Sequence, residues 1–251
     1  MIKLLDRVKS QETIKSFLQH FEERKHNTDI KRGIYIYGTP GCGKTTFVKQ
    51  VLEEIGYDIV SYDAGDIRNK NVMDTITKHN MTDKNIMCMF HKKVKKIAIV
   101  MDEIDGMNSG DKGGINALIK LIREKKTKKQ KMEEMTYNPI ICIGNYHIDK
   151  KIKELMKVCE TIELKAPSPV QTSEIISYLW PSIPESLKNN IIDFSQGDLR
   201  RLKQMYQLHI NYENNQATNE KNNETKKYDD NFYASVFQLK CYNLSLIHIW
   251  R

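Results

Sequence analysis

Apolar residues along this chain follow two alternating patterns. Short, nearly continuous apolar runs are typical of strands buried on both faces, and they occur at 33–37, 59–63, 97–102 and 140–145. Stretches in which apolar residues recur every three or four positions are typical of helices, and they occur at 11–25, 44–55, 70–79 and 115–123. Because the two patterns alternate, we expect an α/β fold with helices on both faces of a doubly wound parallel sheet.

The alternation stops at residues 166–169, where two prolines interrupt the pattern. Three stretches with helical character follow, at 171–179, 184–194 and 198–209. We therefore expect a core domain at 1–165, followed by a small helical lid at 166–212.

The remaining residues, 213–251, differ in character from the rest of the chain. Residues 211–231 are rich in Asn, Glu and Lys and have almost no aliphatic side chains, which predicts a polar linker or a disordered segment. Residues 244–249 resemble the translation of a transposon end that is used to prepare sequencing libraries, which indicates a non-native or truncated tail. An ordinary apolar C-terminal strand is the alternative interpretation.

The composition favours a soluble globular protein, with 39% hydrophobic and 29% charged residues among 251. No apolar run reaches the roughly 18 residues of a membrane helix, so no membrane partner is expected. The five cysteines include no C-x-x-C pair, which argues against a zinc site or a disulfide framework. A reducing intracellular compartment fits this usage, namely the nucleus of a eukaryote or the cytoplasm or viral factory of a virus.

The net charge of +8 weakly favours an anionic partner, and a biased genome composition alone is the more ordinary explanation. Residues 123–131 form a basic run that could contact DNA phosphates. A solvated loop or helix end is the more ordinary interpretation of such a run.

Eight residues that follow the first predicted strand match G-x-x-x-x-G-K-[ST], the pattern of a phosphate-binding loop. They are Gly38, Thr39, Pro40, Gly41, Cys42, Gly43, Lys44 and Thr45. The glycines allow backbone N–H groups to surround an oxyanion, and the N-terminus of the following helix adds a partial positive charge. We expect Lys44 to reach the β- and γ-phosphates of a nucleotide and the Thr45 hydroxyl to ligate Mg²⁺. These features indicate a P-loop NTPase.

Two carboxylates, Asp102 and Glu103, follow the apolar run that ends at the edge of the predicted sheet. Ligands of open α/β sheets bind at this edge. We expect Asp102 to hold Mg²⁺ directly or through water, and Glu103 to orient and deprotonate the attacking water. A capping acid for the next helix is the alternative. Asp105 lies farther along the chain and is less suited to reach the phosphates.

Two further polar positions are candidates for contacts with the γ-phosphate. Asn145 ends an otherwise apolar strand, although a simple turn at Gly144-Asn145 would also explain it. Arg200 and Arg201 lie in the first turn of a predicted helix, where a cation opposes the helix dipole. A phosphate from the neighbouring domain would explain one of them, and a solvated basic face would explain the other.

Residues 83–90 form a candidate docking segment. Ile86, Met89 and Phe90 would share one face of a helical turn, and the flanking residues are basic. An apolar plug surrounded by charge is typical of a partner anchor. Packing into the core is the alternative.

Taken in order, these residues resemble the AAA+ ATPases of sliding-clamp loaders, and in particular the large subunit of replication factor C. The segment 62–70 is similar to that family's N-A-S-D-x-R-S/N-K segment, and D-E-x-D-G-M at 102–107 followed by Gly113-Gly114 is similar to its Walker B region. The resemblance covers residues 5–210. It implies an AAA+ core at 1–165, a lid that carries sensor 2, and ATP and Mg²⁺ as cofactors.

The resemblance also implies individual roles. Lys44 and Thr45, with Thr46 beside them, match Walker A, and Asp102 and Glu103 match Walker B. Asn145 matches sensor 1, Arg200 matches sensor 2, and Val8 lies where the family lines its adenine pocket. The implied function is to open a sliding clamp and place it on primer-template DNA, with hydrolysis of ATP.

Departures from the family pattern shape the expected partners. Small clamp-loader subunits carry Ser-Arg-Cys where residues 157–159 read Lys-Val-Cys, so this chain has no arginine finger to donate. The family's large subunit also lacks it, and the resemblance implies that a neighbouring subunit donates a finger in trans. Residues 83–90 align with the clamp-docking segment, which favours the anchor interpretation of Ile86, Met89 and Phe90. Residues 124–138 form an insertion, and the collar domain of the family is missing or cut off. Two other functions remain open: the clamp-interaction subunit of a checkpoint or cohesion loader, and an AAA+ initiator or helicase-loading ATPase.

Overall fold

The computed structural model describes residues 2–63, 96–109, 114–131, 136–145, 149–181 and 183–219. The chain divides into two compact units, Met1–Tyr206 and Gln207–Arg251. All strands that the structure describes belong to the first unit. The predicted helix at 70–79 and the candidate docking residues Ile86, Met89 and Phe90 lie outside the described residues.

Five parallel strands of the described part form one sheet. They are β1 (Gly33–Tyr37), β2 (Tyr57–Tyr62), β3 (Lys96–Met101), β4 (Ile140–Gly144) and β5 (Glu160–Glu163). Their order across the sheet is β2-β3-β4-β1-β5. Tyr37 pairs with Gly144, and Met101 pairs with Cys142. The carboxyl ends of β1, β3 and β4 therefore meet at one edge, which is where the sequence placed its polar candidates.

Helices cover both faces of this sheet. The helices of the core are α1 (Val8–Arg24), α2 (Lys44–Ile55), α3 (Gly114–Ile122), the short α4 (Lys128–Lys131) and α5 (Lys150–Val158). A 3₁₀ helix at Ile104–Ser109 follows β3. Side chains of α1 and α2 share one apolar cluster with the strands, and side chains of α3 and α5 share the other. The predicted doubly wound α/β fold is confirmed.

Alternate residues of each central strand supply the two clusters. In β1, Ile34 and Ile36 belong to the cluster of α1 and α2, whereas Tyr35 belongs to the cluster of α3 and α5. All three side chains are fully buried. Strands with both faces covered must be apolar throughout, and this is why the apolar runs predicted them.

Three helices follow the core in the first unit. They are α6 (Pro169–Leu179), α7 (Glu185–Ser195) and α8 (Leu199–Asn219), the last of which continues past Tyr206. α6 begins with a capping box, in which Ser168 and Gln171 satisfy each other's backbone N–H groups, and Pro169 occupies the first turn. The two prolines that interrupted the pattern thus mark the start of the lid.

Two elements differ from the sequence-based expectation. The apolar-run criterion missed β5, because in this edge strand Ile162 is the buried position and Glu163 is exposed. α8 extends to Asn219, whereas a linker was expected from residue 211. Residues 199–219 contain no Gly or Pro, and a helix that is already nucleated propagates at little cost through polar residues. Within the described residues, no helix combines the length and apolar content needed to cross a bilayer.

Candidate nucleotide-binding site

The loop between β1 and α2 has the backbone geometry of an anion cradle. Gly41 and Gly43 adopt φ values of +76° and +85°, and α2 begins immediately afterwards at Lys44. At Gly38, a Cβ atom would lie 2.1 Å from the carbonyl oxygen of Leu164. A side chain at Gly38 would therefore overlap the chain beyond β5, so glycine is required there. The predicted strand, glycine loop and helix are all present in that order.

Lys44 is the central cation of the site. Its ammonium group donates hydrogen bonds to the carbonyls of Gly38 at 3.0 Å and Thr39 at 2.9 Å, and to Asn145 Oδ1 at 2.9 Å. Burial lowers the pKa of Lys44, and the charge of Arg200 lowers it further, whereas Asp102 opposes the shift. Lys44 and Arg200 repel each other, so a bound anion would stabilise both charges at this site.

A hydroxyl and a carboxylate lie together at the start of α2. Thr45 Oγ1 donates to Asp102 Oδ2 at 2.6 Å, and the other oxygen of Asp102 accepts from the Glu103 N–H at 2.9 Å. Hard oxygen ligands of this kind fit Mg²⁺, which usually takes one or two protein oxygens and completes its shell with phosphates and water. The described residues contain no cluster of three or more His, Cys, Asp or Glu side chains suited to a metal. The donor set therefore fits a magnesium ion that arrives with a nucleotide.

Glu103 has an unusual backbone for its residue type. Its φ value is +53°, and its side chain is exposed at the cavity. Left-handed backbone at a residue other than glycine is costly and often occurs at functional positions. This conformation turns the chain sharply after β3, and the 3₁₀ helix follows at once. It places a carboxylate beside Asp102 at the edge of the sheet.

Asn145 is held by hydrogen bonds at both its side chain and its backbone. Its side-chain oxygen accepts from Lys44, and its backbone N–H donates to the carboxylate of Asp105. Asp105 therefore faces Asn145 and does not line the cavity among the described residues. The strand that the sequence predicted to end at Asn145 ends at Gly144, one residue earlier.

The lid meets the phosphate loop directly. The backbone N–H of Leu199 donates to the Gly41 carbonyl at 2.9 Å, and Asp198 caps α8 by accepting from the Arg200 N–H at 2.8 Å. Arg200 lines the cavity. Arg201 instead donates to the carbonyl of Phe194 at 3.4 Å and lies over the Phe194 ring. Both arginines lie in α8, but Arg200 lines the cavity whereas Arg201 packs against Phe194 of α7.

A cavity of about 540 Å³ lies between the core and the lid within the first unit. Its polar lining includes Lys44, Thr45, Thr46, Asp102, Glu103 and Asn145. Its apolar lining includes Ile2, Leu5, Phe47, Ile175, Leu179 and Tyr206. Pro40, Gly41, Gly43 and Arg200 also line it. A cavity lined by both charged and apolar side chains suits a molecule that joins phosphates to a flat ring system.

Four of the sequence candidates do not line this cavity. Gly38 and Thr39 contribute the carbonyls that hold Lys44, and Cys42 is buried with its thiol 3.5 Å from the Leu164 carbonyl oxygen. Val8 is 37% exposed and lies outside the lining.

The residue before Val8, Arg7, lines the cavity instead, and sequence reasoning missed it. The guanidinium of Arg7 donates to the Cys42 carbonyl and lies 5.6 Å from the centre of the Phe47 ring, with only 5% of the residue exposed. Burial lowers the pKa of Arg7. Arg7 precedes α1 directly, and a cation at a helix N-terminus opposes the dipole. The signal that identified Arg200 was therefore also present at Arg7.

Comparison with known proteins agrees with this geometry. The model of the ATPase family associated with various cellular activities (AAA) matches residues 34–166. Replication factor C subunit 1 of Saccharomyces cerevisiae is 28% identical over 209 residues, which is 75% of this chain and 23% of that protein. The replication factor C large subunit of Methanococcus aeolicus is 28% identical over 178 residues, which is 70% of this chain and 33% of that protein.

A third relative is the replication factor C large subunit of Nanoarchaeum equitans, which is 29% identical over 203 residues. That alignment covers 79% of this chain and 43% of the relative. The chain thus spans less than half the length of each of these relatives. The family match covers more than half of the chain and includes the phosphate loop, both carboxylates and Asn145. The chain therefore belongs to the AAA family of ATPases.

Proposed function

We propose that this chain binds MgATP and hydrolyses it as the large-subunit-type component of a sliding-clamp loader. The single observation that carries the proposal is the cavity in which Lys44, Thr45, Asp102, Glu103 and Arg200 come together. Family membership supports ATP as the nucleotide. The names of the relatives, together with the D-E-x-D-G-M pattern, support the clamp-loader assignment.

The phosphate end of the site would work mainly by electrostatics. Backbone N–H groups of the glycine loop, the N-terminus of α2 and the ammonium of Lys44 would hold the phosphates. Arg200 would add a second cation from the lid, so that binding favours closure of the lid over the core. Lys44 would exchange its contacts with Gly38 and Thr39 for phosphate oxygens.

Hydrolysis requires an activated water and stabilisation of the transferring phosphoryl group. Thr45 and Asp102 would hold Mg²⁺, which would neutralise charge on the phosphates. Glu103, exposed at the rim of the cavity, would accept a proton from the attacking water. The side-chain amide of Asn145 would orient that water and the γ-phosphate.

The segment at 157–159 supports a position in the assembly that donates no arginine finger. It reads Lys-Val-Cys between the end of α5 and the start of β5 at Glu160, so it offers no arginine to a neighbour. We propose that the chain instead receives an arginine finger from an adjacent subunit, a contribution worth about 10³ to 10⁵ in rate in related ATPases. A sliding clamp, docked through Ile86, Met89 and Phe90, and primer-template DNA would complete the assembly.

Two substitutions at the cavity test this function. Calorimetry should show Mg-dependent ATP binding by the wild-type chain and by Glu103→Gln, and loss of binding in Lys44→Ala. Glu103→Gln should lower single-turnover hydrolysis by about a hundredfold or more, because it removes the general base but leaves the phosphate contacts. Lys49→Ala and Glu53→Gln alter exposed side chains of α2 outside the cavity, and both should behave like the wild type.

Three outcomes would contradict parts of the proposal. Absence of Mg-dependent ATP binding would remove the nucleotide site, and unchanged hydrolysis in Glu103→Gln would remove that residue from the mechanism. Fast turnover by the isolated chain would remove the need for a finger in trans. Retention of the chain on an immobilised sliding clamp in MgATP, but not without nucleotide, would separate a clamp loader from a helicase-loading ATPase.

A further inference from the structure

A buried pair of polar side chains lies behind the cavity, where the strands β1 and β4 adjoin. Asp105 accepts a hydrogen bond from the backbone N–H of Asn145. A Cβ atom placed on Gly144 would lie 2.2 Å from the Tyr35 hydroxyl and 2.8 Å from Asp105 Oδ1. Both oxygens therefore occupy the space above Gly144, and any side chain at that position would displace them.

Tyr35 is an unusual choice for its position in the sheet. It lies in the middle of β1 and is fully buried in the cluster shared with α3 and α5. A buried phenolic hydroxyl needs a hydrogen-bond partner, which phenylalanine at the same position would not. The Tyr35 hydroxyl lies beside Asp105, and the pKa of Tyr35 is raised, first by burial and then by the charge of that carboxylate.

Together these contacts form a chain that runs from the interior of the sheet to the phosphate loop. Tyr35 contacts Asp105, Asp105 holds the backbone of Asn145, and the Asn145 side chain accepts from Lys44 at 2.9 Å. Asp105 follows Glu103 by two residues and lies in the 3₁₀ helix after β3. The residues that fix Asn145 thus come from β1, which leads into the phosphate loop, and from the 3₁₀ helix that follows β3 and the acid pair.

We propose that Tyr35 and Asp105 are positioning residues that set the orientation of Asn145 for hydrolysis, while contributing little to nucleotide affinity. The inference rests on the proposed function, because it concerns the same hydrolytic step. Neither residue lines the cavity in the described part of the chain, so each acts through Asn145. Without Asp105, the amide of Asn145 loses the contact that fixes its backbone and can rotate away from the γ-phosphate.

The test uses the full chain with two measurements, MgATP affinity by calorimetry and single-turnover hydrolysis. Asp105→Leu should slow hydrolysis roughly tenfold to a hundredfold, the effect of losing a hydrogen bond to a charged group. Affinity for MgATP should change by less than about threefold, because a transition-state interaction is removed. Asp105→Asn keeps an oxygen that can accept from the Asn145 N–H, so it should retain more activity than Asp105→Leu.

A double-mutant cycle distinguishes positioning from a general structural role. If Asp105 acts through Asn145, then Asp105→Leu should have little further effect on hydrolysis in an Asn145→Ala background. A structural role would lower hydrolysis, affinity and thermal stability by similar amounts in both backgrounds. An undiminished effect of Asp105→Leu in the Asn145→Ala background would overturn the proposal.

Tyr35→Phe provides a second, milder variant in case Asp105→Leu does not fold. It removes the single buried oxygen that lies beside Asp105 and should slow hydrolysis about threefold to tenfold, the scale of one lost polar contact. Tyr57→Phe is the matched control, because Tyr57 is also buried in a strand and bonds a carboxylate, Glu22, at 3.1 Å, but lies outside the cavity. It should hydrolyse at the wild-type rate.

The outcomes also separate this inference from the proposed function. If the wild-type chain binds and hydrolyses MgATP while Tyr35→Phe and Tyr57→Phe are equally active, the positioning role is wrong and the proposed function stands. If the wild-type chain does not bind MgATP at all, the proposed function itself is wrong.

Discussion

Gly41 combines two requirements in one residue. Its φ value is +76°, and a Cβ atom there would lie 2.1 Å from Asp198 Oδ1, at the start of α8. Gly56 provides a comparison, because its φ value is +91° but nothing lies within 4 Å of the space for its Cβ atom. Both glycines adopt a backbone conformation that would strain any other residue. Of the two, Gly41 is the one whose Cβ space is occupied by the lid.

This difference predicts distinct effects of the same substitution. Gly56→Ala should cost about 1 to 2 kcal/mol of unfolding free energy through backbone strain alone. Gly41→Ala should cost more and should also weaken MgATP affinity, because the added methyl group pushes Asp198 and the lid away from the loop. Urea unfolding and calorimetry measure the two effects. Equal affinity in both variants would show that Gly41 does not couple the lid to the phosphate loop.

At this scale, sequence reasoning found residues whose neighbours along the chain form a motif. Lys44 and Thr45 lie in the loop pattern, and Asp102 and Glu103 end a recognisable strand. Arg7 and Tyr35 belong to no such motif, although Arg7 shares with Arg200 its place at a helix N-terminus. Their roles depend on contacts with Cys42 and Asp105, which lie 35 and 70 residues farther along the chain, and local spacing contains no information about those contacts.

At the scale of elements, Arg32 ties together the amino-terminal edge of the sheet. Its guanidinium donates to the carbonyls of Lys25, Asn27 and Thr136 at 2.5 to 2.9 Å. Its backbone N–H donates to the carbonyl of Ile122, where α3 ends, and its carbonyl accepts from Ile140, where β4 begins. This fully buried cation therefore connects the end of α1 with both ends of the 124–138 insertion.

We expect Arg32→Met to destabilise the protein by about 3 kcal/mol, because it leaves buried carbonyls without their charged donor. Lys128→Met changes an exposed residue of α4 in the same insertion, and it should stay within about 0.5 kcal/mol of the wild type. Urea denaturation monitored by circular dichroism measures both. If Arg32→Met were as stable as Lys128→Met, the insertion would not depend on this anchor.

The central strands could be predicted from the sequence because their residues are buried almost uniformly. The central strands β1, β3 and β4 are apolar because helices cover both of their faces, and the apolar runs located them within one residue. The edge strand β5 has one neighbour and exposes Glu163, so its sequence does not form an apolar run. The end of α8 was missed for a related reason, since composition alone does not show where a nucleated helix stops.

At the scale of the whole molecule, three buried acids among the described residues make the free energy of unfolding depend on pH in the alkaline range. The pKa values of Tyr35, Tyr57 and Cys142 are all raised, in each case first by burial. In the unfolded chain these groups ionise near their ordinary values, about 10 for tyrosine and about 8.5 for cysteine. Above those values the unfolded state releases protons that the native state keeps, so the free energy of unfolding falls as the pH rises.

Buried bases act in the opposite direction, among them Lys44 and Arg7 at the site and Arg32. The pKa of Lys44 is lowered, first by burial, so the native state releases this proton before the unfolded state does. Near the ordinary lysine value this contribution increases stability as the pH rises. Of these bases, Lys44 has the ordinary value nearest this pH range, about 10.4, whereas arginine ionises above about 12. Each group contributes at most about 1.4 kcal/mol per pH unit, so the three acids outweigh Lys44. We therefore expect a net loss of stability between pH 9 and 10.5.

Tyr57→Phe isolates one of these contributions, because Tyr57 lies outside the cavity and titrates beside Glu22. The variant should be less stable than the wild type at pH 8, where it lacks the 3.1 Å hydrogen bond to Glu22. Its stability should then decline less steeply toward pH 10.5, because its unfolded state has one fewer phenol to ionise. Urea midpoints measured at several pH values give both slopes. Parallel curves for the two proteins would mean that the buried phenol of Tyr57 keeps its ordinary pKa, and the linkage argument would fail.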